Sequence, residues 1–301
     1  MTTVEASLEA SRGRLLGLAY RMLGSRADAE DIVQDAYLRV KGRNQRNIRN
    51  LEAFLFTTVT RLCLDHLKSA RVKREVYVGS WLPEPVIDSG SLSPESAAEL
   101  ADDLSFALLL TLEKLSPQER AAFLLHDVFD TPFAQIALVL EKSEASCRQL
   151  AVRARKAVRS AKPGSPAPPG AHKALLSKFA EAVMTGDVSR LQMMLTDDVV
   201  TYSDGGGLKV AALNPIFGAD KVARYFIGVA RKHQMSGVTI EVRLVLINGA
   251  PGIVVNIDGT LDQTINIEVV DGLISAFYLV RNPEKLRSAD AIIRAGAFSE
   301  V

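Results

Sequence analysis

The chain has 301 residues, with 36 Lys plus Arg against 35 Asp plus Glu, two cysteines and one tryptophan. At roughly 150 residues per domain the length predicts about two domains, and a composition 48% hydrophobic and 24% charged excludes wholesale disorder. Cys63 and Cys147 are too few for a disulfide framework or a structural zinc site. No apolar run approaches the roughly 18–20 residues of a membrane span, and Met1 opens into a polar, helix-like stretch, so the chain reads as cytoplasmic and metal-free. The net charge of +1, taken whole, argues against a nucleic-acid binder, which is usually basic.

In chain order, Ser7–Leu23 is apolar at helical spacing (Leu8, Leu15, Leu16, Leu18, Ala19, Met22). Ser25 is an N-cap for a helix to about Val40, with Ile32, Ala36 and Val40 in one row and Asp28, Asp31 and Asp35 on another face beside Glu30. Asp28 suits the positive helix N-terminus, whereas Asp35, more than a turn further in, points to a basic partner. Arg39, Lys41, Arg43, Arg46 and Arg49 form a basic block free of acids. A third helix is expected over about Leu51–Arg74, ending in Lys68, Arg71, Lys73 and Arg74. Between Glu75 and Glu113 the sign reverses, with eight acids and no base. The segment Tyr77–Pro85, YVGSWLPEP, is held extended by Pro83 and Pro85. Trp81 sits in it, and so large an apolar ring is expected to be pinned, either onto a neighbouring domain or onto the first three helices.

A second helical group is expected from near Pro94. Ser116-Pro117-Gln118-Glu119 is a capping box with proline at the first helical position. Thr131-Pro132 starts another helix, with Phe133, Ile136, Ala137 and Leu140 on one face, and Ser143 caps a longer one to about Val158. This pair has the layout of a helix-turn-helix, with an unrelated helical hairpin as the alternative. Cys147, Leu150, Ala151, Ala154 and Val158 form the buried stripe, and Arg148, Gln149, Val152, Arg153, Arg155, Lys156 and Arg159 lie outside it. Arg148 and Gln149 are types that make paired hydrogen bonds to guanine or adenine edges; Arg153, Arg155 and Lys156 are placed for phosphates.

At this point the residues resemble a family. Tyr20–Val40, YRMLGSRADAEDIVQDAYLRV, resembles region 2 of bacterial extracytoplasmic-function (ECF) sigma factors, and Leu115–Val158 resembles their region 4. The resemblance implies a promoter-recognition subunit of RNA polymerase, with core polymerase (β′ and β subunits) and promoter DNA as partners and no cofactor. It implies that Asp28, Glu30, Asp31 and Asp35 dock on the basic coiled coil of β′. It also implies that Arg49, Asn50, Leu51, Arg61, Asp65 and Lys68 capture the unstacked −10 strand, and that Arg148, Gln149, Val152, Arg153, Arg155 and Lys156 face the −35 element. Many members carry a second arginine or lysine where this chain has Leu150.

The boundary after the helical half is Ala161–Ala171, AKPGSPAPPGA, a stiff proline-rich spacer. Beyond it, helices are expected over His172–Gly186, Val188–Leu195 and Asp220–His233. Strands are expected over Val199–Ser203, Thr239–Asn248, Gly252–Asp258, Gln263–Val270 and Leu273–Val280, an α+β cone. The pattern resembles the SnoaL-like, nuclear-transport-factor-2-type fold. Three motifs are similar to those of the ECF subgroup carrying this fusion: Trp81-Leu82-Pro83-Glu84-Pro85, Asp204-Gly205-Gly206-Gly207 and Asn282-Pro283-Glu284-Lys285-Leu286. That subgroup has lysine directly after the third glycine, where here Leu208 precedes Lys209. The resemblance implies contact between the linker and the cone through these motifs, replacing a separate anti-sigma protein.

The expected organisation is therefore region 2 over 1–75, an acidic linker over 76–110, region 4 over 111–160, the proline-rich linker over 161–171, the SnoaL-like domain over 172–290 and a tail over 291–301. Tyr202, Asp204, His233, Asp258, Asp262 and Glu268 are candidates for a cone cavity, but nothing in the sequence defines an acid–base pair, so no catalytic residue is assigned. Gly205–Gly207 suits a hairpin turn better than a phosphate cradle. A small-molecule ligand of the cone stays open. The alternatives to a sigma factor are a small-molecule-binding or -converting enzyme with a DNA-binding appendage, and a helix-turn-helix repressor.

Overall fold

The computed structural model describes residues 3–41, 50–88, 104–161 and 170–298. Arg49, the helical start expected near Pro94 and most of the proline-rich spacer lie outside the described residues. The chain divides into two compact units, Met1–Val76 with Leu92–Lys162 and Tyr77–Ser91 with Pro163–Val301.

The first unit is helical, and most of its helix ends are written in local chemistry. Helix α1 (Thr3–Leu23) stops at Gly24, whose N–H bonds the Tyr20 carbonyl at φ +69°. Ser25 Oγ accepts from the Asp28 N–H at 3.2 Å and opens α2 (Arg26–Lys41). Asn50 does the same for α3 (Leu51–Glu75) through Ala53. Leu15, Leu18, Met22, Ile32, Val33, Leu55 and Val59 form the core of this trio. Ser105 caps α4 (Phe106–Lys114), which begins inside the 76–110 segment expected to be linker. The reciprocal Ser116–Glu119 box opens α5 (Pro117–Phe123), which runs into one π-helical turn, Leu124–Val128. Helix α6 (Phe133–Leu140) ends on Glu141 at φ +55°, and α7 (Glu144–Ala161) follows at once, the Ser143 hydroxyl accepting from the Ser146 N–H. Arg120 ties the two helical groups together. Only 3% exposed, it donates to the Met22 carbonyl and to Glu113 at 3.0 Å, while its Nε has no partner among the described residues. Burial pulls its pKa down to about 10.

The second unit has helices α8 (Ala171–Thr185) and α9 (Val188–Gln192) followed by a six-stranded sheet. Its strands are β1 (Leu195–Asp204), β2 (Ile216–Phe217), β3 (Ile240–Ile247), β4 (Ala250–Ile257), β5 (Thr260–Val270) and β6 (Leu273–Val280), in the order β2-β1-β6-β5-β4-β3. β1 and β6 run parallel; every other pairing is antiparallel. Helix α10 (Ala219–Met235) lies between β2 and β3 in the chain. Period-two alternation gives each strand two faces. Val199, Ile253, Val255, Ile265, Ile267, Phe277 and Leu279 pack with Leu176, Phe179, Val222 and Phe226 of α8 and α10. Rings of Phe179, Phe226 and Phe277 meet at centroid distances of 4.6–4.9 Å.

Three elements depart from expectation, the first being the short strand β2, which none of the five expected strands covers. The helix expected over Val188–Leu195 stops at Gln192, because Met194 offers its carbonyl to Ile274 and Leu195 already pairs with β6. Helix α11 (Pro283–Arg294) was not expected, and it runs past the 290 boundary. Asn282 is its N-cap, Pro283 its first residue, and Leu286, Ala289 and Ile293 its buried row. Among the described residues no helix is long and apolar enough to cross a membrane.

Candidate functional site

Beyond α3 the chain becomes a strap, Tyr77–Asp88, laid on the sheet unit. Pro83 and Pro85 remove two donors and hold the path extended, so its ties come from the residues between and around them. The Leu82 N–H donates to Asp204 Oδ2 at 2.9 Å, and the Val86 N–H to Asn248 Oδ1 at 2.9 Å. Asn248 N–H returns a bond to the Val86 carbonyl at 2.7 Å, Asp88 N–H reaches the Leu246 carbonyl at 3.1 Å, and Ile87 bridges Ile247. Leu82, Glu84 and Ile87 are buried, and Ser288 Oγ donates to Glu84 at 3.2 Å. The strap therefore runs from the end of β1 to the edge strand β3.

Its anchor is Asp204, the fully buried last residue of β1. One carboxylate oxygen accepts from Tyr77 OH at 2.6 Å and from the Gly206 N–H at 3.0 Å; the other accepts from Leu82 and from Lys285 Nζ at 2.7 Å. Lys285 also donates to the Leu82 carbonyl and lies 4.2 Å from the Trp81 ring centroid. Asn282 Nδ2 donates to Tyr77 OH at 2.9 Å. Burial, then the hydrogen bond to Asp204, pushes the Tyr77 pKa up, so the phenol stays a donor. The three motifs thus converge: Trp81, Leu82 and Glu84 from the first, Asp204 and Gly206 from the second, Asn282 and Lys285 from the third, with Pro83 and Pro85 shaping the strap, Pro283 starting α11 and Leu286 buried under it. A Cβ on Gly206 would sit 2.3 Å from Asn282 Nδ2, and Gly206 and Gly207 both have positive φ. The glycine run, Gly205 included, is a close-packed turn around Asp204, with the Gly206 N–H already committed to that carboxylate. Tyr77, Asn248 and Ser288 belong to the cluster but carry no motif. Their signals are an aromatic with a polar tip before the tryptophan and an Asn-Gly hairpin.

Lys209, displaced by Leu208, pairs with Asp262 at 2.5 Å, and Arg281 pairs with the same carboxylate at 2.9 Å. Burial acts to raise the Asp262 pKa, but the Lys209 hydrogen bond and the two cationic charges outweigh it and hold the group below its ordinary range. The sheet unit contains a cavity of about 420 Å³ between α8, α10 and β3–β5, and of the six candidates for it only His233 lines the wall. Tyr202 instead stacks on Tyr278 at 5.8 Å, Asp204 anchors the strap, Asp258 accepts from the Thr239 N–H at 3.0 Å, Asp262 is held by Lys209 and Arg281, and Glu268 is not among the lining residues. Strand parity explains the correction: Asp262 and Glu268 alternate against Ile265 and Ile267, which face the helices.

In the helical unit, Asp31 and Asp35 are exposed on α2, Asp28 lies 3.6 Å from His66 Nε2, and Glu30 pairs with Arg26 at 3.0 Å. Of the residues expected to meet the −10 strand, Asn50 is a helix cap, Leu51 is half-buried, and Asp65 and Lys68 pair with each other at 2.8 Å. Arg61 is engaged across to the helix-turn-helix: it donates to the Leu138 carbonyl at 2.8 Å and the Val139 carbonyl at 3.3 Å, and pairs with Glu141 at 3.3 Å. On α7, Gln149, Val152 and Lys156 are exposed. Arg148 pairs with Glu144 at 2.7 Å, Arg153 with Glu119 at 2.9 Å and Arg155 with Asp127 at 2.5 Å.

Residues 8–72 match the family model of Sigma-70 region 2, and residues 105–158 that of Sigma-70, region 4. The chain is 39% identical over 292 residues to the ECF RNA polymerase sigma factor SigJ of Mycobacterium tuberculosis, covering 93% of this chain and 92% of that protein. It is 30% identical over 295 residues to the probable ECF RNA polymerase sigma factor SigI of the same species, covering 97% and 98%. Its fold matches the crystal structure of M. tuberculosis SigJ with a TM-score of 0.76 at 37% identity, covering 93% of this chain and 97% of that one.

Proposed function

The chain belongs to the ECF sigma factors, which give RNA polymerase its promoter specificity, and from that premise we propose that its own sheet domain regulates initiation in cis through the strap. The observation that carries this reading is the Asp204 cluster, in which a buried carboxylate binds the segment joining region 2 to region 4. A connector fastened by Leu82, Val86 and Asp88 has less free length to give. Regions 2 and 4 must span two promoter elements at once, so fastening it favours the inactive state. A decisive switch needs differential binding worth about 5.5 kcal/mol. Breaking a buried ion pair costs about 3–5 kcal/mol, which covers part of that difference, and withdrawing the inserted Leu82 adds to it.

The closed helical unit supports the same reading. Arg61, assigned here to the −10 strand, gives Nη2 to the Leu138 carbonyl and Nε to the Val139 carbonyl, so DNA must compete with these contacts in that state. Within this proposal Asp28, Glu30, Asp31 and Asp35 dock on the basic coiled coil of β′. Arg49, Asn50, Leu51, Arg61, Asp65 and Lys68 take the melted −10 strand, and Arg148, Gln149, Val152, Arg153, Arg155 and Lys156 face the −35 element, in the cytoplasm beside core polymerase. The test is transcription by core polymerase from a promoter selected with this chain, comparing intact protein with Trp81→Ala. Altered output with intact folding is expected; unchanged output together with an unchanged strap refutes the latch. Charge reversal at Asp31 and Asp35 is expected to abolish co-purification with core polymerase.

A further inference from the structure

The cavity of the sheet unit takes no part in the strap. It is walled by Phe179 and Met184 of α8, Phe226 and Val229 of α10, and Val242 and Leu244 of β3, and its 420 Å³ lies within the roughly 300–1,000 Å³ typical of small-molecule sites. Strand parity sends one polar side chain into it. Gln263 follows the inward row of Ile265 and Ile267 on β5, is about nine-tenths buried, and its side-chain amide has no hydrogen-bond partner among the described residues. An amide that lines an apolar cavity and makes no hydrogen bond to the protein is left to bond whatever occupies that space, and an apolar guest without a polar group would strip it of a partner. The one carboxylate on the wall, Glu181, is turned to Arg190 at 2.7 Å, and no Lys or Arg lines the space. A charged guest would therefore be left uncompensated.

We propose that this cavity binds an uncharged, largely apolar small molecule bearing a hydrogen-bonding group that Gln263 holds, with His233 at the wall as a further polar contact. The chemistry fits a compact aromatic or alicyclic compound with a single hydroxyl or carbonyl, or an arylamine whose nitrogen stays uncharged at neutral pH. It does not fit a nucleotide, a sugar or an acid. The site is independent of the strap reading, so either can fail alone.

The experiment titrates the full-length chain with N-phenyl-1-naphthylamine, an uncharged apolar fluorophore with one N–H donor, following its emission. Saturable one-to-one binding with blue-shifted emission is expected. Gln263→Leu, which keeps the volume and removes the polar handle, should weaken binding roughly tenfold, the worth of one hydrogen bond. Ala230→Trp, which fills the cavity, should abolish it. No saturable binding, or affinity unchanged in Gln263→Leu or in Ala230→Trp, overturns the proposal. If Ala230→Trp does not fold, hydrogen exchange of the native chain with and without the fluorophore decides. Protection confined to 226–233, 240–244 and 263–265 supports the site, and protection elsewhere or none refutes it.

Discussion

Replacing Asp204 by asparagine exchanges one oxygen for an NH₂ group and should release the strap. The wild-type carboxylate is fully buried and its partner Lys285 ammonium is 14% exposed, so this pair is outside the regime of surface ion pairs worth about 0–1 kcal/mol. Breaking a buried pair by removing one partner costs about 3–5 kcal/mol, because the remaining charge stays desolvated. Asparagine adds a geometric conflict, since its NH₂ must face either the Tyr77 and Gly206 donors or the Leu82 and Lys285 donors. Lys285 keeps the Leu82 carbonyl and the Trp81 face, which places the expected loss at the low end, about 3 kcal/mol. That corresponds to a roughly hundredfold increase in local opening. Hydrogen exchange at the amides of Leu82, Val86 and Asp88 reads the opening directly, and urea unfolding followed by Trp81 fluorescence reads the stability. A loss under about 1 kcal/mol with exchange unchanged at all three amides would refute the reasoning.

Three further outcomes are expected. Lys285→Met removes the cation beside the only tryptophan of the chain, so acrylamide quenching of Trp81 should rise; unchanged quenching denies the contact a holding role. Arg120→Met removes the cation beside Glu113 and the donor to the Met22 carbonyl, and with Glu113 a quarter exposed the expected cost is about 2–3 kcal/mol in urea unfolding of the helical unit, read at 222 nm. Asp262 has a folded pKa below its unfolded value, so the unfolded chain takes up its proton first as pH falls. Its contribution is complete above about pH 4 and is lost below that as pH passes through the folded value. Asp262→Asn should flatten the stability–pH slope in that acid window, and an unaltered slope would sink the assignment.

What the sequence discloses depends on how far apart the interacting atoms are along the chain. Ser25, Ser116-Pro117-Glu119 and Ser143 act within one turn, so the starts of α2, α5 and α7 are readable from residue type and spacing. Helix α11 is equally local, since Asn282-Pro283 opens it and Leu286, Ala289 and Ile293 form its buried row, although the same residues also carry the motif that meets the strap. The faces of β5 follow from alternation too: Ile265 and Ile267 inward put Gln263 inward and Asp262 outward, which excludes Asp262 from the cavity. What alternation does not reveal is partnership. Asn248 with Val86, Asp204 with Tyr77 and Arg61 with Leu138 join positions separated by 162, 127 and 77 residues, and no local rule selects them.

The net charge of +1 acquires a physical meaning from these pairings. Arg148, Arg153 and Arg155 each hold an acid of their own helical unit, Glu144, Glu119 and Asp127, and Arg61 holds Glu141. A phosphate must compete with those carboxylates for each guanidinium. Exposed pairs such as Arg148–Glu144 are worth little and yield readily, whereas Arg155 and Asp127 are both less than one-third exposed and yield less. Each internally paired cation adds less to the counterion release that drives DNA affinity. The isolated chain should therefore bind duplex DNA weakly, although the outer face of α7 is rich in arginine. Any event that separates the two helical groups frees Arg61 and makes the surface more attractive to DNA without adding a single positive residue. Near-neutrality is thus compatible with promoter binding, because Arg61, Arg148, Arg153 and Arg155 are held in internal pairs that DNA can displace.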